Sequence, residues 1–209
     1  MIRVVIADDH RIVRHGIKDI LEDEGDIVIV GDVGTGAQVL DLVREHDVDI
    51  LLLDIAMPDG GGLEILEQVH RIKPNIRVLI LTMYSEEQFA MRALRLHAYG
   101  YLTKQSAPEE LVDAIRTIAK GEKYITQALA NVLIADLDQT TIHPHELLSE
   151  REFQILRKIA SGKTLTDISK ELSLSIKTIS TYRARILTKL KLKHTAELIR
   201  YGIEHNLMD

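Results

Sequence analysis

An unbroken apolar run that ends in a carboxylate, Ile50-Leu51-Leu52-Leu53-Asp54, strongly limits what this chain can fold into. A run so short and so apolar is typical of a strand buried on both faces, as in a parallel sheet with helices above and below it. Asp54 then lies at the carboxyl end of its strand, which is the edge where open α/β sheets bind ligands. The chemistry of the chain depends on which other side chains reach that edge.

Strand-like and helix-like segments alternate around this run. Five short apolar segments predict strands, at Arg3–Ala7, Ile27–Val30, Ile50–Asp54, Val78–Thr82 and Tyr101–Thr103. Apolar residues at helical spacing predict a helix after each strand, at Arg11–Glu24, Gln38–Arg44, Gly62–His70, Glu87–Leu96 and Glu109–Lys120. Such crossovers run right-handed and give an α/β doubly wound, five-stranded parallel sheet whose strands end at one rim. That rim collects Asp8, Asp9, Asp54, Thr82 and Lys104.

The pattern changes after residue 123. A helical segment at Gln127–Leu137 precedes a polar stretch, Asp138–His145, which contains Pro144 and has no apolar period, as in a linker. Four helical segments follow, at Glu150–Ser161, Leu165–Leu172, Ile176–Leu190 and Ala196–His205. We therefore expect residues 1–123 to form the sheet domain and residues 124–146 to form a linker with a helical segment. Residues 147–209 are expected to form an all-α four-helix domain.

Composition excludes several classes of protein. With 209 residues, 45% of them hydrophobic, and no long apolar run, the chain is predicted to have no membrane-spanning segment. The absence of cysteine excludes a disulfide framework and thiol chemistry. The first residues lack the apolar core of a signal peptide. We therefore expect a cytoplasmic protein that has no membrane partner.

Charge is distributed unevenly along the chain, whose net charge is -6. Residues 1–125 hold 14 Lys and Arg against 22 Asp and Glu. Residues 163–193, in contrast, hold 8 basic residues against 2 acidic ones. An acidic half and a separate basic segment indicate two modules, the second of which is suited to meet a polyanion.

The acidic rim favours a hard divalent cation. Because like charges repel, Asp8, Asp9 and Asp54 gathered in one place would be costly without a counter-charge. Oxygen ligands without cysteine select Mg²⁺ or a similar ion such as Mn²⁺. In proteins Mg²⁺ is typically held by one or two carboxylates, several waters and a phosphate oxygen. A phosphorylated partner or a phosphorylated residue is therefore expected at this rim.

Asp54 is the residue best placed to take a phosphoryl group. It ends the central strand, and a carboxylate can act as the nucleophile that forms an aspartyl phosphate. Lys104 would offset the charge of the phosphoryl group, and Thr82 would donate its hydroxyl to it. Each residue alone has a plainer explanation, such as a strand-end Thr or a solvated Lys. The combination is what points to phosphoryl chemistry.

These motifs resemble the receiver domain of two-component response regulators, across residues 1–123. The matching text is Asp8-Asp9-His10, Leu53-Asp54-Ile55-Ala56-Met57-Pro58, Leu81-Thr82 and Gly100-Tyr101-Leu102-Thr103-Lys104. The resemblance implies that Asp54 is the phosphoacceptor, and that the metal ligands are Asp8, Asp9, Asp54 and the backbone carbonyl of Ala56. It further implies that Lys104 pairs with a phosphoryl oxygen, while Thr82 and Tyr101 act as switch residues. Slow loss of the phosphoryl group would not make such a protein an enzyme on other substrates.

A basic pair of helices with a short turn is predicted within residues 163–193. Thr164 and Asp167 form a capping box for the first helix, and Ser175 is an N-cap for the second. A buried stripe on the second helix is formed by Ile179, Ile186 and Leu190. Its other faces are small and basic, as suits the major groove of DNA, and carry Lys177, Thr178, Ser180, Thr181, Ala184, Arg185 and Lys189.

This part of the chain, from about Leu147 to Leu207, resembles the LuxR-type helix-turn-helix. The matching text is Leu148-Ser149-Glu150-Arg151-Glu152, Asp167-Ile168-Ser169-Lys170-Glu171-Leu172 and Ser175-Ile176-Lys177-Thr178-Ile179-Ser180-Thr181-Tyr182. The whole chain resembles a response regulator of the NarL/FixJ family. The resemblance implies a transcription factor switched by Mg²⁺-dependent phosphorylation of Asp54, with a sensor histidine kinase or a small phosphodonor as the source. When active, it would bind half-sites in double-stranded DNA as a homodimer.

The sequence is also compatible with two other functions. Residues 147–207 could serve as a protein-interaction module, although the basic second helix argues against this. A metal-dependent phosphatase acting on external substrates is weaker, because no further acid or substrate pocket is evident in the sequence. Steep salt dependence of binding to mixed genomic DNA would favour the DNA-binding function.

Overall fold

The computed structural model describes residues 1–57, 61–137, 144–205 and 207. The chain divides into two compact units, Met1–Thr140 and Thr141–Asp209. Within the described part of the chain, every helix is too short or too polar to cross a membrane. Pro58 of the receiver-like text and residues 138–143 of the predicted linker lie outside the described residues.

The first unit is an α/β sheet structure, as predicted. Its strands are β1 Ile2–Ala7, β2 Ile27–Val33, β3 Ile50–Leu53, β4 Arg77–Thr82 and β5 Gly100–Thr103. Its helices are α1 Arg11–Glu22, α2 Gly36–Glu45, α3 Gly62–Ile72, α4 Glu86–Arg95, α5 Pro108–Ala119 and α6 Gln127–Leu137. All strand pairs are parallel, in the order β2-β1-β3-β4-β5. This arrangement confirms the predicted fold class for this unit.

Strand β3 lies at the centre of the sheet and is buried along its whole length. Its neighbours β1 and β4 also place alternate apolar side chains on both faces of the sheet. On one face, Ile50 and Leu52 join a core that includes Ile17 of α1 and Ile115 of α5. Burial on both faces requires the unbroken apolar run seen in the sequence, and it fixes the position of the residue that follows β3.

Strand β2 is longer than the apolar pattern predicts. The prediction ended it at Val30, whereas pairing with β1 continues to the last pair, Ala7 and Val33. The register of this ladder shifts between Val4 and Val5, which marks a bulge or irregularity. Backbone pairing with β1 therefore sets the length of β2, although Gly31 and Asp32 interrupt its apolar sequence.

The predicted linker contains one helix that belongs to a packed unit. Helix α6 has the bounds expected from the sequence and contacts α4 within the first unit. Leu129 of α6 is fully buried. This helix therefore adds to the packing of the first unit.

The second unit is entirely helical in its described part. A short 3₁₀ helix at Pro144–Leu147 precedes α7 Glu150–Ala160, α8 Leu165–Glu171, α9 Ile176–Lys189 and α10 Thr195–Glu204. Helix α7 packs against both α9 and α10. The approach to α10 is close, since a Cβ on Gly202 would lie 2.3 Å from the Cβ of Ala160. These four helices confirm the predicted all-α fold after the sheet.

Candidate functional site

Two carboxylates leave adjacent strands side by side. Strand β1 ends at Ala7 and β3 ends at Leu53, and these two residues are register partners in the parallel ladder. The next residues are Asp8 and Asp54, both of which are buried. The backbone N–H of Asp54 donates to the carbonyl of Ala7 at 2.9 Å, which extends the ladder to the start of the site. The two carboxylates therefore meet because parallel strands end at a common rim.

Arg14 of α1 holds the backbone around Asp8. Its Nη1 donates to the carbonyl oxygen of Asp8 at 2.6 Å, and its Nε donates to Oδ2 of Asp32 at 2.9 Å. Lys18 also pairs with Asp32. The hydrogen bond from Lys18 lowers the pKa of Asp32, and the one from Arg14 adds to that effect against the opposing effect of burial. These contacts attach α1 to β2 and to the segment that carries Asp8.

Lys104 connects the two buried carboxylates. It follows β5, and its backbone N–H donates to the carbonyl of Thr82 at 2.7 Å. Its Nζ lies 2.6 Å from Oδ2 of Asp8 and 2.6 Å from Oδ2 of Asp54. Burial alone would lower the pKa of Lys104, but the hydrogen bonds and charges of Asp54 and Asp8 outweigh it and raise that pKa. Lys104 therefore forms ion pairs with both buried carboxylates and offsets part of their charge.

Four side chains bring possible metal-ligand atoms close together. Those of Asp8, Asp9, His10 and Asp54 all lie within 4.8 Å of one another. Oδ1 of Asp8 accepts the backbone N–H of His10 at 2.8 Å. Nδ1 of His10 is 2.7 Å from Oδ1 of Asp9 and 3.3 Å from Oδ1 of Asp8. Three carboxylates of this kind fit Mg²⁺ or Mn²⁺, since both ions prefer hard oxygen donors.

Ala56 is held beside the phosphoacceptor candidate. Its backbone N–H donates to Oδ1 of Asp54 at 3.1 Å. The use of its carbonyl as a metal ligand stays a prediction. Gly62, which begins α3, approaches the same segment, because a Cβ there would lie 2.2 Å from the carbonyl oxygen of Asp54 and 2.5 Å from Cα of Ile55. No side chain larger than hydrogen fits at Gly62 unless this backbone moves.

The two predicted switch residues are both fully buried. Oγ1 of Thr82 has no hydrogen-bond partner among the described residues, which is unusual for a buried hydroxyl. The hydroxyl of Tyr101 lies 3.1 Å from the carbonyl oxygen of Tyr84 and 3.2 Å from that of Ser85. Tyr101, on β5, thus contacts the segment that joins β4 to α4. Thr82 is the last residue of β4, directly before that segment. The structure places both at the β4–β5 side of the rim.

In the second unit, the predicted turn between two capped helices is present. Oγ1 of Thr164 accepts the N–H of Asp167 in a capping box that begins α8. Oγ of Ser175 accepts the N–H of Thr178 at 3.0 Å and caps α9. Between these helices, Ser173 has a φ of 52°, a left-handed conformation that non-glycine residues seldom adopt. The predicted buried stripe of α9, Ile179, Ile186 and Leu190, is confirmed.

The predicted DNA-contacting residues lie on the remaining faces of α9. Exposed positions are Lys177, Thr181, Ala184, Arg185 and Lys189, while Thr178 and Ser180 are partly buried. The guanidinium carbon of Arg185 lies 5.8 Å from the centre of the Tyr182 ring. Lys189 differs from the others, because its Nζ lies 2.6 Å from Oε2 of Glu152 on α7. That ion pair gives Lys189 a packing role that the sequence did not indicate.

Two further residues at these sites have roles that the sequence did not reveal. His10 lies within the Asp8-Asp9-His10 text, and its position directly after two carboxylates is the signal that could place it at this rim. Glu152 is buried although it is charged. Its place three residues after Ser149 is the signal for the capping box that the structure shows.

The chain matches two protein families, one in each unit. Residues 4–116 match the response regulator receiver domain, and residues 146–202 match the bacterial regulatory proteins of the luxR family. Response regulator UvrY of Escherichia coli (strain K12) is 37% identical over 209 residues, which cover 99% of this chain and 96% of UvrY. These matches confirm the resemblance predicted from the motifs.

Two solved structures of RcsB are similar along nearly the whole chain. One is RcsB from Salmonella enterica serovar Typhimurium bound to promoter rprA in the presence of phosphomimetic BeF3-, with 29% identity and a TM-score of 0.60. It covers 96% of this chain and 98% of RcsB. The other contains two RcsB dimers bound to two parallel DNAs, with 30% identity, a TM-score of 0.61 and 96% of each chain covered. The chain belongs to the NarL/FixJ family of two-component response regulators, DNA-binding regulators of transcription that join a receiver domain to a LuxR-type helix-turn-helix domain.

Proposed function

We propose that Asp54 accepts a phosphoryl group from a sensor histidine kinase or a small phosphodonor, and that this modification controls promoter binding by α9. The observation that carries the proposal is the Lys104 ammonium, which lies 2.6 Å from both Asp54 and Asp8 in a buried pocket. Asp54 is thereby held in one orientation at the rim. Phosphoryl transfer requires such positioning and charge balance more than it requires covalent assistance.

The chemical step needs little beyond these residues. A carboxylate oxygen of Asp54 forms a bond to phosphorus while the bond between phosphorus and the donor breaks, and the leaving group keeps the electron pair. Lys104 offsets negative charge on the transferred group. The backbone N–H of Ala56, at 3.1 Å from Oδ1, helps to orient the carboxylate. Asp54 is modified in this step and acts as a switch, not as a catalyst that turns over substrate.

Asp8, Asp9, Asp54 and the backbone carbonyl of Ala56 would hold Mg²⁺, or Mn²⁺ in its place. The ion supplies positive charge to the phosphoryl oxygens when it is bound. Asp8 is buried and fixed by its hydrogen bond from the backbone of His10, whereas Asp9 is exposed. A buried ligand beside an exposed one would allow the ion to enter from solvent without rebuilding β1.

Thr82 and Tyr101 would report the modification to the β4–α4 segment. The buried Oγ1 of Thr82 has no partner among the described residues and can donate to a phosphoryl oxygen. Tyr101 already contacts two carbonyls of that segment through its hydroxyl. A shift of Thr82 towards the phosphoryl group would therefore change the space available to Tyr101. The modified receiver then favours a different conformation of the same segment.

The output is binding to double-stranded DNA by a homodimer. Lys177, Thr181 and Arg185 lie exposed on α9, the helix that follows the turn. Solved RcsB structures with bound promoter, and with dimers on DNA, support this arrangement by similarity. Two such helices would enter successive major-groove half-sites about one helical turn apart. Because its target is chromosomal DNA, we expect the protein to act in the cytoplasm.

The phosphorylation step is tested with acetyl phosphate and Mg²⁺. The wild-type chain should gain the mass of one phosphoryl group and form dimers, as measured by mass spectrometry and light scattering. Asp54→Ala should do neither, while Asp41→Ala, which removes an exposed carboxylate of α2, should behave as wild type. Dimers that still depend on the phosphodonor in Asp54→Ala would show that the acceptor is assigned wrongly.

The output is tested by binding to mixed genomic DNA at two salt concentrations. DNA binding should weaken steeply with salt, because each phosphate contact releases a counterion. Arg185→Ala should lower the affinity and reduce the salt dependence, by about one unit in the slope of the logarithmic plot. Affinity that does not respond to salt would instead favour a protein-interaction role for residues 147–207.

A further inference from the structure

The imidazole of His10 is the least expected member of the pocket. Its Nδ1 contacts the carboxylates of both Asp9 and Asp8, at 2.7 Å and 3.3 Å. It faces them while the backbone N–H of the same residue donates to Oδ1 of Asp8. His10 follows Asp9 directly and is the N-cap residue of α1, and both its main chain and its ring contact the acids. The ring is thus held against the carboxylates although it is largely exposed.

The ring nitrogen of His10 adds a second kind of ligand atom to a pocket of carboxylate oxygens. Carboxylate oxygens favour Mg²⁺ and Mn²⁺, whereas imidazole favours Zn²⁺, Ni²⁺ and related first-row ions. Nδ1 belongs to the same set of ligand atoms as the three carboxylates, within 4.8 Å. For Nδ1 to bind an ion, the ring proton must lie on Nε2, and this neutral form is the usual metal-binding form of histidine. The other nitrogen then becomes free to donate a hydrogen bond.

We infer that His10 is an additional metal ligand of this pocket, through Nδ1, and that the pocket therefore binds imidazole-preferring divalent ions as well as Mg²⁺. This inference rests on the proposed metal pocket of Asp8, Asp9 and Asp54. In this inference, His10 determines how strongly the pocket prefers Ni²⁺ or Zn²⁺ over Mg²⁺. An ion such as Ni²⁺ or Zn²⁺ held by His10 would compete with Mg²⁺ for the same carboxylates, and metal availability would then influence the switch.

Direct metal binding to the unphosphorylated full chain tests this role. Affinities for Ni²⁺ and for Mg²⁺ are measured by calorimetry in the wild type and in His10→Ala. The ratio of the Ni²⁺ affinity to the Mg²⁺ affinity should fall by about tenfold or more in the variant, because loss of a metal-site partner typically costs 10–100-fold. His15→Ala is the matched control, since it removes an exposed histidine of α1 outside the pocket and should leave the ratio unchanged.

A second measurement needs no variant. In wild-type protein with ¹⁵N-labelled histidine, added Zn²⁺ should shift the Nδ1 resonance of His10, and excess Mg²⁺ should reverse the shift. An unchanged affinity ratio in His10→Ala, or an Nδ1 resonance indifferent to Zn²⁺, would overturn the inference. Phosphorylation of the wild type with Mg²⁺ is followed in parallel. If it proceeds while the His10 tests fail, only the role of His10 is wrong; if it fails, the proposed function is wrong whatever His10 binds.

Discussion

Lys189, at the end of α9, places its ammonium 2.6 Å from Oε2 of Glu152, a carboxylate of α7 whose side chain is only 3% exposed. The same oxygen accepts the backbone N–H of Ser149 at 2.7 Å, as part of the capping box of α7. Glu152 therefore caps the N-terminus of α7 and also forms an ion pair with α9. Because α9 carries the proposed DNA contacts, this ion pair helps to set how those contacts are presented.

Replacing Lys189 by Met should destabilise the protein by about 1–2 kcal/mol, because the buried Glu152 would lose the ion pair and hydrogen bond from Lys189. Urea unfolding measures the change. Lys177→Met, at the exposed start of α9, should leave stability nearly unchanged and weaken DNA binding. Glu152→Gln combined with Lys189→Met should cost less than the sum of the single changes. A Lys189→Met protein of unchanged stability that binds DNA poorly would instead make Lys189 a DNA contact.

Replacing Gly62 by Ala should disturb the phosphorylation pocket without touching any of its side chains. The new Cβ would meet the backbone of Asp54 and Ile55 at distances that contacts of this kind do not allow. We expect a loss of about 2 kcal/mol in stability, together with weaker Mg²⁺ binding. Gly16→Ala on α1 is the control, because nothing lies within 4 Å of its Cβ position. That change should raise stability by about 0.5–1 kcal/mol.

Replacing Thr82 by Val should separate stability from signalling. The unphosphorylated protein should be at least as stable as wild type, by up to about 1 kcal/mol, since the change removes a buried hydroxyl that has no partner among the described residues. Phosphodonor-driven dimerisation should be reduced, because that hydroxyl is the proposed contact to the phosphoryl group. Thermal unfolding and light scattering are the two measurements. A clear loss of stability would show that Oγ1 has a partner in the resting protein.

Replacing Asp32 by Asn should make the stability of the protein less sensitive to acid. The hydrogen bond from Lys18 lowers the pKa of Asp32 below its usual 3.8, so its contribution is present above pH 3.8 and is lost as pH falls through the folded-state value. Near neutral pH the variant should be less stable by about 1 kcal/mol, and this difference should shrink as the pH falls below 3.8. Urea unfolding over this range, with Asp41→Asn as an exposed control, measures it. A difference that stays constant with pH would exclude an effect of charge.

Most of the receiver fold follows from local pattern. Five apolar segments separated by amphipathic helices leave few alternatives to a parallel sheet, and the bounds of β4 and α6 agree with the sequence to within one residue. The meeting of Asp8, Asp54 and Lys104 follows from the same logic, since parallel strands end at one rim. Assigning the roles of these residues required chemistry in addition to pattern.

What the sequence did not show depends on contacts between distant elements. The end of β2 at Val33 is set by pairing with β1, and the apolar pattern stops at Val30. Lys189 occupies an outward position on α9 by helical spacing, yet it reaches Glu152 on another helix. The ring of His10 contacts the carboxylates of Asp9 and Asp8, and the spacing of apolar residues does not predict such a contact. Local patterns place a residue on an element but do not say which distant group its long side chain meets.

The pocket is completed by the residue that follows the last strand of the sheet to be synthesised. Both buried carboxylates follow strands in the first half of the unit, whereas Lys104 follows β5, the final strand of the sheet. On the ribosome, the emerging chain therefore carries both acids for some time without the lysine that pairs with them. This cationic partner reaches the acids only when β5 joins β4 at the edge of the sheet. A truncated chain that ends before β5 lacks this lysine, so we expect it to be a poor target for the kinase even though both buried acids are present.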